Sequence, residues 1–220
     1  MTILVFIEQR DGKVRSVARE ALGEAKRLAA TLGGPVVGVS CGASADGLAS
    51  LGEAGAEKVL AATHEAFARY EGAGYAAAVA AAAKSTGAKL VLFGASSIGK
   101  DLAPRVAARL GVGLAADCTS LDAAGGKLVA RRPVMAGKAF ERVAFPATPA
   151  MVTRFPVAGT PWKGPRWVPV MVQRLETRSP SSRALSMLMR ASGSALVNMV
   201  MKPDQPSLSS GWGAPDMWAT

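Results

Sequence analysis

The sequence predicts a doubly wound α/β fold, a mostly parallel sheet with helices on both faces, and three observations carry that prediction. Short apolar runs alternate with longer amphipathic or alanine-rich stretches, the grammar of βαβ units. Glycines close several of these stretches, at Gly33-Gly34, Gly87 and Gly94. The alternation fills residues 1–158 and is lost in residues 159–220, where tryptophan, methionine, serine and arginine take over. The division expected is therefore an α/β domain over 1–158 and an atypical, poorly ordered tail over 159–220.

Ile3 to Ile7 is five apolar residues in a row, as a central parallel strand requires. Ser16 can cap a helix whose stripe is Ala18, Ala21, Leu22, Ala25, Leu28, Ala29 and Leu32, stopped by Gly33-Gly34-Pro35. Val36 to Val39 returns as a strand, a short helix lies near Asp46 to Leu51, and Lys58 to Ala61 is the next strand. Tyr75 to Ser85 is an alanine-rich helix ending at Gly87, followed by the apolar strand Lys89 to Phe93. Gly94-Ala95-Ser96-Ser97 turns the chain into a helix that Asp101 can cap, with Pro104 in the first turn and Gly111 at the end. Leu102, Val106 and Leu110 give that helix its buried face. Beyond Gly113, Asp117 to Leu121, Lys127 to Pro133, Phe140 to Ala144 and Met151 to Phe155 read as an antiparallel extension. Gly125-Gly126 suits a hairpin turn, and Pro133, Pro146 and Pro149 fit strand ends. In the tail, Arg183 to Met201 carries a helical hint through Leu185, Leu188, Met189 and Leu196.

Composition narrows the function classes. The formal charge is +10, split as +6 over residues 1–161 and +4 beyond. Lys26, Arg27, Arg105, Arg109, Arg131, Arg132 and Lys138 are scattered over several elements without interleaved aromatics, which speaks for solvated faces and a partner surface and against nucleic acid. Arg10, Lys13 and Arg15 lie in the first strand-to-helix loop, where doubly wound folds bind ligands, and could make a weak anion site. Cys41 and Cys118 lack metal or redox spacing and read as buried small hydrophobes. The chain carries no leader-like segment and no long apolar span, so a soluble, cytoplasmic protein without membrane insertion is expected.

Catalytic patterns are absent. His64 is the only histidine and has no partner for a metal, so no metal site is expected. Glu8 and Asp11 read as a strand end and a turn, and Ser96 and Ser97 lack a nucleophile elbow. Gly94 to Lys100 satisfies GxxxxGK, but Asp101 stands where a phosphate loop needs Ser or Thr, and the first loop lacks GxGxxG. The glycines then serve a tight loop. Gly94, Ser96, Gly99 and Lys100, at a strand's C-terminal end, are the candidate ligand-loop positions. Arg105, Arg131 and Lys138 are the candidate partner-interface residues.

The segment Gly94-Ala95-Ser96, Gly99-Lys100, Leu102, Pro104-Arg105, Ala107 and Leu110, with Asp117 after it, resembles the N-terminal domain of the electron transfer flavoprotein alpha subunit. Ile3 to Glu8, Gly52 to Leu60 and Arg131 to Phe140 match the family in the same order, so the likeness covers 1–158. It implies a Rossmann-like, adenine-nucleotide-hydrolase-like sheet. It also implies a non-catalytic subunit of a heterodimeric FAD carrier that moves electrons from dehydrogenases, such as acyl-CoA dehydrogenases of fatty acid β-oxidation, to a quinone-linked oxidoreductase. The family's second, FAD-holding domain has no counterpart in 159–220, so the expectation is a truncated chain, through a reading-frame slip near Gly159. Such a chain would dock a beta subunit while retaining little FAD alone. Two other readings compete: a free-standing adenine-nucleotide module resembling universal stress proteins, and a fragment that folds without binding anything.

Overall fold

The computed structural model describes residues 1–124 and 127–154 together with the strand backbones of Met171–Glu176 and Val197–Met199. Four fully buried parallel strands form the middle of its main sheet: β1 (Ile3–Ile7), β4 (Val36–Gly42), β6 (Leu90–Gly94) and, nearly so, β11 (Ala150–Arg154). With apolar side chains on both pleats, such strands are stable only between two covering layers. The strand order is β13-β12-β5-β4-β1-β6-β11-β7, where β5 is Lys58–Thr63, β7 Leu114–Cys118, β12 Met171–Glu176 and β13 Val197–Met199. β1 and β6 lie side by side in parallel, with Ile3 opposite Leu90. Successive strands move outward from β1 in opposite directions, so the C-terminal ends of β1 and β6 meet at the switch point of a doubly wound sheet.

Among the described residues, three α-helices cover the two faces. α1 (Ser16–Leu32) packs Ala18, Ala21, Leu22, Ala25 and Leu28 over Ile3, Val5 and Ile7. α2 (Gly72–Ser85) and α3 (Ser97–Leu110) cover the other pleat, where Leu4, Phe6, Val37 and Phe93 point. α2 is more than half alanine and is buried nearly all round, so small side chains let it lie close against α3 and the sheet. Among the described residues no helix is long and apolar enough to cross a membrane.

The antiparallel extension is real but smaller than the sequence suggests. β8 (Ser120–Ala124), β9 (Lys127–Val134) and β10 (Ala139–Ala144) form a separate three-stranded antiparallel sheet. Ala124 pairs with Lys127, as a hairpin at Gly125-Gly126 requires, although those two glycines lie outside the described residues. Of the Met151 to Phe155 stretch, Met151 to Arg154 does not belong to this extension and Phe155 lies outside the described residues: as β11 the chain returns to the main sheet and pairs in parallel with β6 and β7. Burial explains the correction, since Ala150 to Thr153 are all buried, which an edge strand of a half-wet sheet would not be. Asp117 likewise starts no strand. It lies inside β7, one residue before its end, at a bulge with φ 57°, its N–H donating to Thr153 Oγ1 at 2.8 Å on the neighbouring β11.

Two caps also differ from expectation. α1 begins at Ser16 itself, with Arg15 in the cap position and no side-chain cap. α3 begins a turn before Asp101, because Ser96 Oγ accepts the N–H of Gly99 at 3.0 Å, and Pro104 therefore sits inside the helix. The glycines of the GASSIGK run disguise this first turn as loop. Of the tail, only the backbones of β12 and β13 are described. Val197–Met199 pairs antiparallel with β12, so this part of the Arg183 to Met201 stretch is strand, not helix, and Gly193 already interrupts the helical period.

Freed from capping, Asp101 joins α3 to the segment before α2. Its carboxylate accepts Arg105 Nε and Nη2, each at 3.0 Å, and the Tyr70 hydroxyl at 2.6 Å. The Arg105 guanidinium first, and the Tyr70 hydroxyl second, hold the Asp101 carboxyl below the usual carboxylate range. A carboxyl that titrates lower folded than unfolded adds stability above the unfolded pKa and loses it as pH falls through the folded one. In urea titrations the gap between wild type and Asp101→Asn is expected to be open at pH 7 and to close on acidification below the ordinary Asp range. A gap unchanged down to pH about 2 would contradict the assignment.

Candidate functional site

At the switch point the strand ends enclose a cleft of about 850 Å³, within the range occupied by ligand sites. Its floor is built by β1 and β4. Glu8 follows the last residue of β1, and its side chain is only 10% exposed. It accepts a hydrogen bond from the Ser96 hydroxyl and lies 3.9 Å from Arg15 Nε. Gln9 donates to Ser40 Oγ at 2.7 Å, and Ser40 donates to the Ile7 carbonyl at 3.1 Å, which fixes the ends of β1 and β4 to each other. Cys41 also lines the cleft, and burial pushes its thiol far above the ordinary value, so it is an inert neutral group.

One wall is aromatic. The 3₁₀ turn Glu65–Ala68 carries Phe67, and the chain then brings Tyr70 and Tyr75 beside it. Tyr75 meets Phe67 edge-on with ring centroids 5.2 Å apart and Tyr70 at 5.0 Å, and its hydroxyl donates to the Phe67 carbonyl. Burial, above all, raises both tyrosine hydroxyls beyond their usual range, so they are hydrogen-bond donors and not anions. Across the mouth stand Arg10, Arg15 and Arg69. β2 (Gln9–Arg10) and β3 (Lys13–Val14) form the small ribbon that presents Arg10.

The loop residues singled out from the sequence divide. Ser96 and Ser97 line the cleft. Gly94 and Gly99 instead allow close packing: a Cβ on Gly94 would lie 2.3 Å from Val17 Cγ2, and one on Gly99 would lie 1.9 Å from the Gly94 carbonyl oxygen. Lys100 forms an ion pair with Asp117, Nζ to Oδ1 at 3.0 Å. His64 caps the 3₁₀ turn through Nδ1, which accepts the Ala66 N–H. No cluster of three metal-ligating side chains exists among the described residues. The aromatic wall had one signal in the sequence, for Tyr70 and Tyr75 are the only tyrosines in the chain and fall five residues apart.

A second feature lies away from the cleft, on the three-stranded sheet. Its hairpin tip carries Met135 and Ala136 in the left-handed region, at φ 50° and 55°, and leaves Met135 77% exposed. Phe140 on β10 is 48% exposed, and the Arg131 guanidinium covers its ring at 3.7 Å from the centroid. Lys138 ends the tip, and Arg132 lies 3.8 Å from Glu141. Thus exposed Arg131 and Lys138 lie on the same hairpin as two exposed large apolar side chains. Arg105, held by Asp101 on α3, is not on that sheet.

Comparison with known proteins gives concordant matches. The profile of the electron transfer flavoprotein domain matches residues 3–166. Protein FixB of Clostridium saccharobutylicum is 38% identical over 154 residues, 69% of this chain and 46% of that protein. The electron transfer flavoprotein subunit alpha of Clostridium acetobutylicum is 41% identical over 138 residues, 61% of this chain and 41% of that protein. An acryloyl-CoA reductase electron transfer subunit beta from Anaerotignum propionicum is 40% identical over 121 residues, 54% of this chain and 33% of that protein. The chain thus spans less than half the length of these curated relatives.

Proposed function

This chain belongs to the electron transfer flavoprotein domain family, and from that premise we propose that it acts as an alpha-type component of a heterodimeric electron carrier, docking a beta subunit. The observation that carries the reading is the family match over residues 3–166, with relatives named as alpha subunits. Residues 1–158 are the unit that docks. In the assembled carrier FAD would take electrons from dehydrogenases, acyl-CoA dehydrogenases among them, and deliver them to a quinone-linked oxidoreductase.

The described residues do not fit FAD by themselves. A pyrophosphate needs backbone to approach it closely at small residues, and here the space beside Gly94 and Gly99 is filled by Val17 and by the Gly94 carbonyl. The role of this chain is therefore to bind and position the partner, as an electron-carrier component rather than a catalyst. The face best suited to docking is the hairpin of β9 and β10, where Met135 and Phe140 expose apolar area beside Arg131 and Lys138.

A co-expression experiment tests this. Met135→Asp with Phe140→Asp changes only exposed side chains, so the domain is expected to fold. Its yield of co-eluting beta subunit is expected to fall at least tenfold, about the effect of losing a small hot spot. Full co-elution of the double variant would reject the hairpin as the docking face.

A further inference from the structure

The outer face of the three-stranded sheet carries a like-charge pair that nothing in the chain neutralises. Side chains alternate across a strand, so the register divides β9 and β10 into two faces. On the inner face Ala130 is buried opposite Val143, and Arg132 stands opposite Glu141 as an ion pair, Nε to Oε2 at 3.8 Å. On the outer face Arg131 stands directly opposite Arg142, and both are exposed. Like charges directly opposite each other on paired strands repel and cost stability. Neither arginine forms an ion pair among the described residues, although Asp122, the one carboxylate on the outer face of these strands, is only two residues along β8 from Ser120, which faces Arg131. Arg131 is held instead over the Phe140 ring, 3.7 Å from its centroid, a contact that fixes the guanidinium while leaving its N–H donors for another group.

We propose that Arg131 and Arg142 together seat one carboxylate, an acidic side chain of the docked partner, and that Phe140 beside them takes an apolar neighbour of that acid. This seat presupposes that the hairpin docks the beta subunit, and it names what that partner brings to the contact. Two guanidinium groups side by side satisfy both oxygens of a carboxylate through charge-assisted bonds. The negative charge between them replaces their mutual repulsion by two attractions. A sheet built for stability alone would carry an acid at one of the two positions, as the inner face does at Glu141. The free chain therefore carries a repulsion that docking removes.

Arg142→Glu is the experiment, because stability and docking should then move in opposite directions. The variant sets an acid opposite Arg131, so the urea midpoint of the free full-length chain is expected to rise. Its affinity for the beta subunit, titrated at low salt, is expected to fall at least tenfold. Arg142→Gln removes the repulsion without reversing the charge and is expected to dock with an affinity between those of wild type and Arg142→Glu. Raising the salt is expected to weaken wild-type docking and to narrow the gap between the two. The seat is rejected if Arg142→Glu docks as wild type does, or if its urea midpoint falls. With Arg142→Glu docking normally, loss of docking by Met135→Asp with Phe140→Asp would leave the hairpin as the docking face, whereas no docking by wild type would overturn both. An RNA oligonucleotide that wild type binds more tightly than it binds the beta subunit, and that Arg142→Glu no longer binds, would also overturn the seat.

Discussion

Gly99→Ala is expected to destabilise the chain by about 3 kcal/mol or more, although helix propensity alone favours alanine over glycine by about 1 kcal/mol. The new Cβ would lie 1.9 Å from the carbonyl oxygen of Gly94, and that oxygen belongs to the last residue of β6. A side-chain neighbour could rotate away, but a backbone carbonyl in a parallel sheet moves only with its strand. Steric cost therefore outweighs propensity by a factor of about three. A urea midpoint lowered by more than half a molar unit, with an unchanged slope, is the expected reading. A raised midpoint would mean that α3 does not start on top of β6. Gly94→Ala gives an internal control: its obstacle is Val17 Cγ2 at 2.3 Å, so Val17→Ala is expected to relieve part of its cost and none of the cost at Gly99.

Glu24→Ala is the second large effect, expected to cost about 3 kcal/mol. Glu24 lies on α1 with 8% of its side chain exposed, and it accepts Arg27 Nη2 at 2.8 Å and Arg27 Nε at 3.0 Å. Arg154 Nε, at the end of β11 and 12% exposed, stands 3.4 Å away. Arg27 also donates to the Leu121 carbonyl, so this one carboxylate ties α1 to β11 and, through Arg27, to the start of the antiparallel sheet. Removing it takes one carboxylate partner from the buried Arg154 charge, while half-exposed Arg27 can turn to water. Removing both buried charges is another matter: Glu24→Met with Arg154→Met is expected to return to within about 1 kcal/mol of wild type. Denaturation curves for the two single variants and the double variant check this. A double variant that costs the sum of the singles would contradict the coupling.

The sheet was legible in the sequence wherever burial is two-sided. Ile3 to Ile7 and Leu90 to Phe93 are uninterrupted apolar runs, and an adjacent parallel pair is the arrangement that buries both pleats of each. The stripe of α1 and the stop at Gly111, in the left-handed region at φ 69°, were equally readable because each rests on local spacing or local conformation. What sequence reading missed depends on distant partners. The return of Met151 to the parallel sheet follows from its strand partners at Leu90 to Gly94 and Leu114 to Cys118, and a short apolar run carries no sign of direction. Asp101 looked like a cap until Tyr70 arrived from another segment to share its carboxylate.

The candidate site shows the same division. Ser96, singled out from its loop because small residues follow a buried strand there, lines the cleft. Arg69, Tyr70 and Glu8 were not assembled, because only the topology brings the end of β1 and the segment before α2 to one cleft. Gly94 and Gly99 mimic a phosphate loop in spacing while serving packing in space, a difference that only the positions of Val17 and the Gly94 carbonyl reveal.

The central claim is that this chain docks a beta-type partner, and mass determination of the two proteins after co-expression tests it most directly. Light scattering across a single gel-filtration peak should return the mass of one copy of each chain, and the same result should hold when only residues 1–158 are co-expressed. Two separate peaks, each with the mass of a lone chain at every concentration tried, would contradict it.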